Sequence, residues 1–252
     1  MAYGSKIMND TIKLLQSHKS IRKYQNKAIE EEKLLEIIKS AQSASTSSFV
    51  QAYSIISVEN KENRRRISEL AGNQAYIVEC PVFLVFCADL SRLERACHSN
   101  DREFDGGYTE SFIIATVDAA LVAQNTMVAA ESLGLGGVYI GGIRNNPAKI
   151  ADILKLPKNC YPLVGMCLGY PADNPDRKER LPIEVVFKKD EYIPSQEEEK
   201  LLQYDERIKL YYNSRTEGAR QDTWTGQVAE KFQSNKRPHM KSFLEDRGFI
   251  LK

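Results

Sequence analysis

Apolar residues recur along the chain with two distinct periods. Ile7, Ile12, Leu14 and Leu15 fall at near-helical spacing over 7–17. Leu34, Leu35, Ile37 and Ile38 do so more clearly over 31–43, behind an acidic first turn that suits a helix dipole. A polar Ser/Thr cluster over 43–48 separates that helix from YSIISVE at 53–59, which reads as a strand, and a further helix is predicted at 62–70. PVFLVFCA at 81–88 is an uninterrupted apolar run between Pro and Asp, the pattern of a strand covered on both faces. The longest helical candidate, 111–133, is rich in Ala and apolar on nearly every side, which predicts a central helix packed all round. Gly134 and Gly136 supply its stop. GVYI at 137–140 then forms a strand running into Gly141–Gly142, 147–154 a short helix opened by Pro, and YPLVGMCLG at 161–169 a second buried strand. A Pro- and charge-rich loop covers 171–182. Residues 195–213 read as a helix capped from Ser195 to Glu198, and the sequence from 214 onward is polar and mixed in charge. Strands alternating with helices predict an α/β or α+β fold around one sheet, with no internal repeat.

Composition narrows the function classes. The 252 residues carry 35 Lys+Arg against 34 Asp+Glu, a net charge of +1, which argues against a protein that grips nucleic acid or an anionic membrane by bulk charge. The near-neutral sum hides a segregation. Residues 1–30 hold six cations (Lys6, Lys13, Lys19, Arg22, Lys23, Lys27) and two acids, whereas 103–143 hold five acids and no Lys or Arg. Five cysteines, an odd number without C-x-x-C spacing, fit buried reduced thiols in a cytoplasmic protein better than a disulfide framework. His18, His98 and His239 are too scattered for a zinc site, so no metal is expected. The apolar stretch 112–130 is broken by Asp118, Gln124 and Asn125, as in a core helix and not a membrane span. There is no G-x-G-x-x-G behind a strand, no P-loop and no G-x-S-x-G.

Three segments remain that could carry chemistry. His18–Lys23 packs four cationic or potentially cationic side chains into six residues, and the planar fork of Arg22 suits a phosphate or a polarised carbonyl. A solvated basic turn is the plainer reading of that segment. Residues 134–142 contain five glycines around a four-residue strand, which lets backbone N–H groups approach a ligand closely, or simply ends a helix and makes a tight turn. Lys178 and Arg180 stand two apart in an extended loop, so they can point the same way and share one anion, or form an ordinary solvated charge run.

Taken together, SIRKY (20–24), SSFVQ (47–51), GNQ (72–74), AAESLGLGGVYIGGIRNNP (129–147) and LGYPADNPDRKERLP (168–182) resemble the flavin-dependent nitroreductase family. The resemblance is to its group A branch, the oxygen-insensitive NADPH nitroreductases and NADPH–FMN oxidoreductases of bacteria, and it runs from about residue 8 to 225. It implies an α+β fold with a mainly antiparallel central sheet wrapped by helices, as an intertwined homodimer with FMN at the subunit interface. It further implies a single domain over 1–252 with an extension, about 195–252, reaching over the partner subunit.

On this resemblance His18, Lys19, Ser20 and Arg22 match the flavin-binding block, with Lys19 where the family usually has Arg. Lys178 and Arg180 match the cations that help to hold the FMN phosphate, Gln74 a contact to the ring edge, and Ser47 a contact from the partner chain. Tyr139, Ile140, Gly141 and Gly142 match the backbone lying against the flavin ring, and Phe49 falls where the family lines the substrate pocket. Arg215 and Arg220 match a mobile loop that recognises the 2′-phosphate of NADPH. The activity implied is ping-pong turnover: NADPH delivers a hydride, leaves, and a nitroaromatic, quinone or flavin acceptor takes up the reducing equivalents. No protein nucleophile is required, so no catalytic side chain is assigned; Arg22 is the candidate cation that offsets negative charge on the cofactor. The alternatives are an FMN reductase that supplies reduced flavin to a partner, and a flavin-binding redox module without turnover.

Overall fold

The computed structural model describes residues 8–194, 197–234 and 236–252. Lys6, Ile7 and the expected cap Ser195 lie outside the described residues. In chain order the helices are α1 (Asp10–Ser17), α2 (Glu31–Gln42), α3 (Lys61–Leu70), α4 (Tyr76–Glu79), α5 (Ser91–His98), α6 (Thr109–Ser132), α7 (Pro147–Ile153), α8 (Ile183–Val186), α9 (Glu198–Arg215), α10 (Trp224–Gln233) and α11 (Met240–Asp246). The strands are β1 (Tyr53–Ser57), β2 (Val82–Asp89), β3 (Gly136–Ile140) and β4 (Cys160–Gly169).

The strands form one sheet in the order β1-β2-β4-β3 with every pairing antiparallel. All eight residues of β2 are buried, as its unbroken apolar run requires. Its side chains alternate between two cores: Val82, Leu84, Phe86 and Ala88 face the layer built on α2 and α6, and Phe83, Val85 and Cys87 face the layer containing Ile67, Ile77 and Ile150. The β2–β4 register slips between Phe86 and Cys87. That irregularity lets Tyr161 and Met166, an odd and an even position of β4, both reach the α6 side. All five cysteines are free thiols, four of them buried.

α6 needs a correction. It is the one helix among the described residues long and apolar enough to cross a membrane by those criteria, yet it packs on the sheet. Ala115, Asp118, Ala119, Val122, Ala123, Thr126, Met127 and Ala130 are buried on one side. The expected all-round packing is not provided by this chain. Ile113, Val117 and Leu121, each four residues from the next, are 47%, 46% and 43% exposed and form an open apolar stripe.

Two compact units make up the chain. One contains residues up to Pro175 together with His239–Lys252, and the other is Asp176–Pro238. α11 and the residues after it therefore belong to the first unit, where Phe243, Leu244 and Phe249 join the core. Phe249 meets Tyr161 edge-on at 5.1 Å between ring centroids. In the second unit α9 and α10 are fastened by Asp205, whose carboxylate accepts from Thr225 N at 3.0 Å and from the Thr225 hydroxyl. The boundaries of this unit differ from the extension expected at about 195–252.

Candidate functional site

In the first unit the basic block leaves α1 in an extended conformation and runs along the edge of the sheet. Ile21 N–H donates to Gly137 O at 2.9 Å, Gln25 N–H to Tyr170 O at 2.9 Å, and Ala172 N–H to Lys23 O at 3.0 Å. Ile21 is buried and seats against Gly136, where an added Cβ would lie 2.4 Å from Ile21 Cγ1. That glycine is required by close approach of two segments. Side chains alternate along an extended chain, so burying Ile21 turns Ser20 and Arg22 the other way. Arg22 is exposed and has no hydrogen-bond or ion-pair partner among the described residues. Lys19 Nζ donates to Asn174 Oδ1, and His18 Nδ1 stands 2.6 Å from Glu131 Oε1.

The glycine-rich segment emerges from β3 into a 3-10 turn, Gly141–Asn145. The first N–H groups of such a turn have no partner within it, which leaves them for a ligand. Gly142 is buried against the residue predicted to touch the ring edge. An added Cβ there would lie 2.3 Å from Ala71 O and 2.4 Å from Gln74 Nε2. Gln74 itself is fixed: Nε2 donates to Ala71 O at 2.7 Å and Oε1 accepts from the Tyr76 hydroxyl. Ile140 points into the core, so only its backbone is available to a ligand. Tyr139 donates to Gln124 Oε1 at 3.2 Å; burial, with the Glu131 charge adding to it, pushes its phenol well above the usual range.

Ser47 opens a short 3-10 turn, Ser47–Phe49, and Phe49 is 82% exposed. Ser48, Phe49 and Gln51 have φ of 46°, 58° and 52°, left-handed backbone that side-chain-bearing residues adopt at a cost. Asp118, wholly buried in α6, clamps both ends of this loop: Ser47 N–H donates to Oδ1 at 2.8 Å and Ala52 N–H to Oδ2 at 3.0 Å.

In the second unit Lys178 Nζ donates to the Tyr212 hydroxyl at 2.5 Å, while Glu179 accepts from Arg207 Nε at 2.9 Å. Lys178 and Glu179 both reach α9, so the strict alternation expected of the loop does not hold there. Arg180 is exposed without a hydrogen-bond or ion-pair partner among the described residues. Arg215 donates to the Tyr211 hydroxyl at 2.8 Å, and Arg220 Nε to Asp222 at 2.7 Å.

The structure thus joins the basic block to the glycine strand, Gln74 to Gly142, and the Ser47–Phe49 turn to α6. Sequence reasoning missed Asp118, Glu131, Asn174 and Tyr212. The signal for Asp118 was present: it is the one charged residue in the apolar stretch 112–130, where a charge must have a partner.

The antiparallel sheet of this α+β fold has a glycine-rich edge, beside which Arg22 stands without a hydrogen-bond or ion-pair partner among the described residues. The chain belongs to the nitroreductase family: the model for the nitroreductase family matches residues 15–170 and that for the nitroreductase family C-terminal domain matches 178–252. It is 41% identical over 242 residues to the oxygen-insensitive NADPH nitroreductase of Salmonella typhimurium, covering 96% of this chain and 99% of that one. It is 39% identical over 246 residues to the FMN reductase (NADPH) of Bacillus subtilis, with 96% and 99% covered. Among solved structures, that of B. megaterium NfrA1 superposes with a TM-score of 0.94 at 46% identity, covering 96% of this chain and all of that one.

Proposed function

We propose that the protein is an FMN-dependent NADPH oxidoreductase that passes reducing equivalents to nitroaromatics, quinones or flavin. The observation that carries this reading is the basic block pinned by Ile21 to the glycine strand with Arg22 unspent: it has no hydrogen-bond or ion-pair partner among the described residues, and Ser20 lies on the same side of the extended segment. The residues fit a phosphate-bearing cofactor, since an Arg fork, a hydroxyl and turn N–H groups are the donors such a group needs. FMN, when bound, supplies the two-electron redox chemistry.

The chain's own residues bind and orient. His18, Lys19, Ser20 and Arg22 hold the cofactor, Gln74 and the backbone of Tyr139–Gly142 face its ring, and Arg22 offsets negative charge there. Lys178 and Arg180 are phosphate ligands of the second unit, and Arg215 and Arg220 its NADPH-recognising cations. Phe49 lines the acceptor pocket. Two copies form the working enzyme, with Ser47 contributed by the partner. The exposed Ile113–Val117–Leu121 stripe supports such a face, because an open apolar row on a core helix calls for cover. Unpaired thiols support a reducing, cytoplasmic compartment.

The test is an absorbance spectrum of the pure protein under nitrogen. Flavin bands that bleach on adding NADPH are expected; colourless protein that takes up no added FMN refutes the proposal. A relative named FMN reductase favours a second reading, delivery of reduced flavin to a partner. Steady-state turnover with free FMN as acceptor distinguishes the two.

A further inference from the structure

Tyr212, on α9, is placed between two of the second unit's cations: its hydroxyl bonds Lys178, whose Nζ also lies 4.6 Å from the ring centroid, and its ring stacks on Arg220. Its hydroxyl accepts from Lys178 Nζ at 2.5 Å and donates to Gln227 Oε1 at 3.1 Å. The Gln227 amide cannot turn round without loss, because its Nε2 donates to Thr223 O at 3.0 Å. Thr223 in turn caps α10, its hydroxyl accepting from Gly226 N–H at 3.1 Å. Both hydrogen-bonding directions of the phenol are therefore occupied, and a helix cap fixes the far end of the chain of bonds.

The ring serves the other cation. The Arg220 guanidinium carbon lies 4.6 Å from the Tyr212 ring centroid. Arg220 is held there from its backbone as well: its N–H donates to Thr216 Oγ1 at 2.9 Å, and Thr216 Oγ1 donates to Tyr212 O at 2.7 Å. Asp222 takes the Nε and Nη2 edge of the guanidinium, which leaves Nη1 without a hydrogen-bond partner among the described residues. Burial pushes the Tyr212 phenol up, but the Lys178 bond and charge, helped by Gln227 and Arg220, bring it below its ordinary value.

We propose that Tyr212 is a positioning residue for two phosphate-binding cations at once, its hydroxyl setting Lys178 and its ring setting Arg220. The ligand chemistry is a phosphate monoester at each, the flavin 5′-phosphate for Lys178 and the dinucleotide 2′-phosphate for Arg220. This rests on the roles given to those two cations under the proposed function. A lysine stem is flexible, and holding its ammonium on a fixed phenol removes freedom that phosphate binding would otherwise have to remove, while leaving two N–H donors. A guanidinium stacked on a ring keeps in its plane the N–H donors that Asp222 does not take, for a phosphate.

The two halves of the side chain can be removed separately in the full chain. Tyr212→Phe deletes the hydroxyl and keeps the ring. FMN titrated into the stripped protein, followed by quenching of its fluorescence, should bind roughly ten- to a hundredfold more weakly, the size of one lost bond to a charged group. The NADPH-to-NADH ratio of kcat/KM should stay within about twofold, since the stacking on Arg220 survives. Tyr212→Leu should show the same loss of FMN affinity and, in addition, a fall of roughly two- to fivefold in the NADPH-to-NADH ratio. Unchanged FMN affinity in Tyr212→Phe overturns the proposal, as does an equal fall of the NADPH-to-NADH ratio in both variants. Tyr212→Phe alone decides the matter should Tyr212→Leu not fold. Lys178→Ala and Arg220→Ala separate the levels. If they leave FMN affinity and NADPH preference untouched, the assigned roles fail; if they alter them while Tyr212→Phe does nothing, only the positioning role fails.

Discussion

Asp118→Asn probes how the loop 47–52 is held. Three residues of that loop, Ser48, Phe49 and Gln51, sit in left-handed backbone. At about 1–2 kcal/mol each, they store about 3–6 kcal/mol of strain. Against this stand the two bonds from Ser47 and Ala52 N–H to the buried carboxylate, at 2.8 and 3.0 Å. Bonds to a charged group contribute about 1.5–3 kcal/mol apiece, or about 3–6 kcal/mol for the pair. The two terms nearly cancel, so the loop is held close to balance by one side chain. Asn keeps one acceptor and turns an NH2 toward the other N–H, a loss of about 1.5–3 kcal/mol local to the loop. Hydrogen exchange of the 46–52 amides should therefore accelerate roughly tenfold to a hundredfold, while exchange in β2 and β4 stays close to that of the unaltered protein. Adding Ser48→Gly, which removes one strained position, should recover several-fold of that protection. Unchanged exchange over 46–52 would refute the clamp. So would acceleration spread evenly through the sheet, which would make Asp118 a general core residue.

Two further outcomes are expected. Glu131 can only accept, so Nδ1 of His18 carries hydrogen in the unaltered protein. Glu131→Gln should release that constraint and shift the His18 ring toward the Nε2–H tautomer, read from ring 15N shifts in a protein with three histidines; an unchanged His18 pattern refutes it. Phe249→Ala removes a fully buried ring that meets Tyr161 edge-on and should cost about 3–5 kcal/mol, lowering the melting temperature by about 6–20 °C; a fall under about 2 °C would show that 239–252 contribute little to the core.

The strands and most helices were legible because each is governed by its own local pattern. β2 announces double-sided burial by seven apolar residues in a row before Asp89, and α2 shows itself by its repeated Leu and Ile pairs. α10 and α11 were not legible: charged residues dominate their neighbourhoods, and Phe243, Leu244 and Phe249 reveal their burial only against Tyr161 and Phe112, far away in sequence. What covers the whole of α6 was not legible for a related reason. Composition reports how apolar a helix is, but not which neighbour covers each side, and the Ile113–Val117–Leu121 stripe is left open by this chain. At the site, glycines and cations stood out in the sequence. Glu131 and Tyr212, which hold His18 and Lys178 in place, did not, since a partner 113 or 34 residues away leaves no local trace.

The interrupted first unit has a consequence for synthesis. Residues 176–238 are made, and can collapse on themselves, before residues 239–252 leave the ribosome. Until Phe243, Leu244 and Phe249 emerge, the layer around Tyr161 has an apolar gap where Phe249 belongs, and Gly107 O lacks the Leu251 N–H that it accepts at 2.6 Å. The larger unit, begun first, is therefore completed last. During that interval the nascent chain exposes the surface that chaperones recognise. A stop codon after residue 238 would do more damage than the removal of a surface helix, because it leaves that interval without an end.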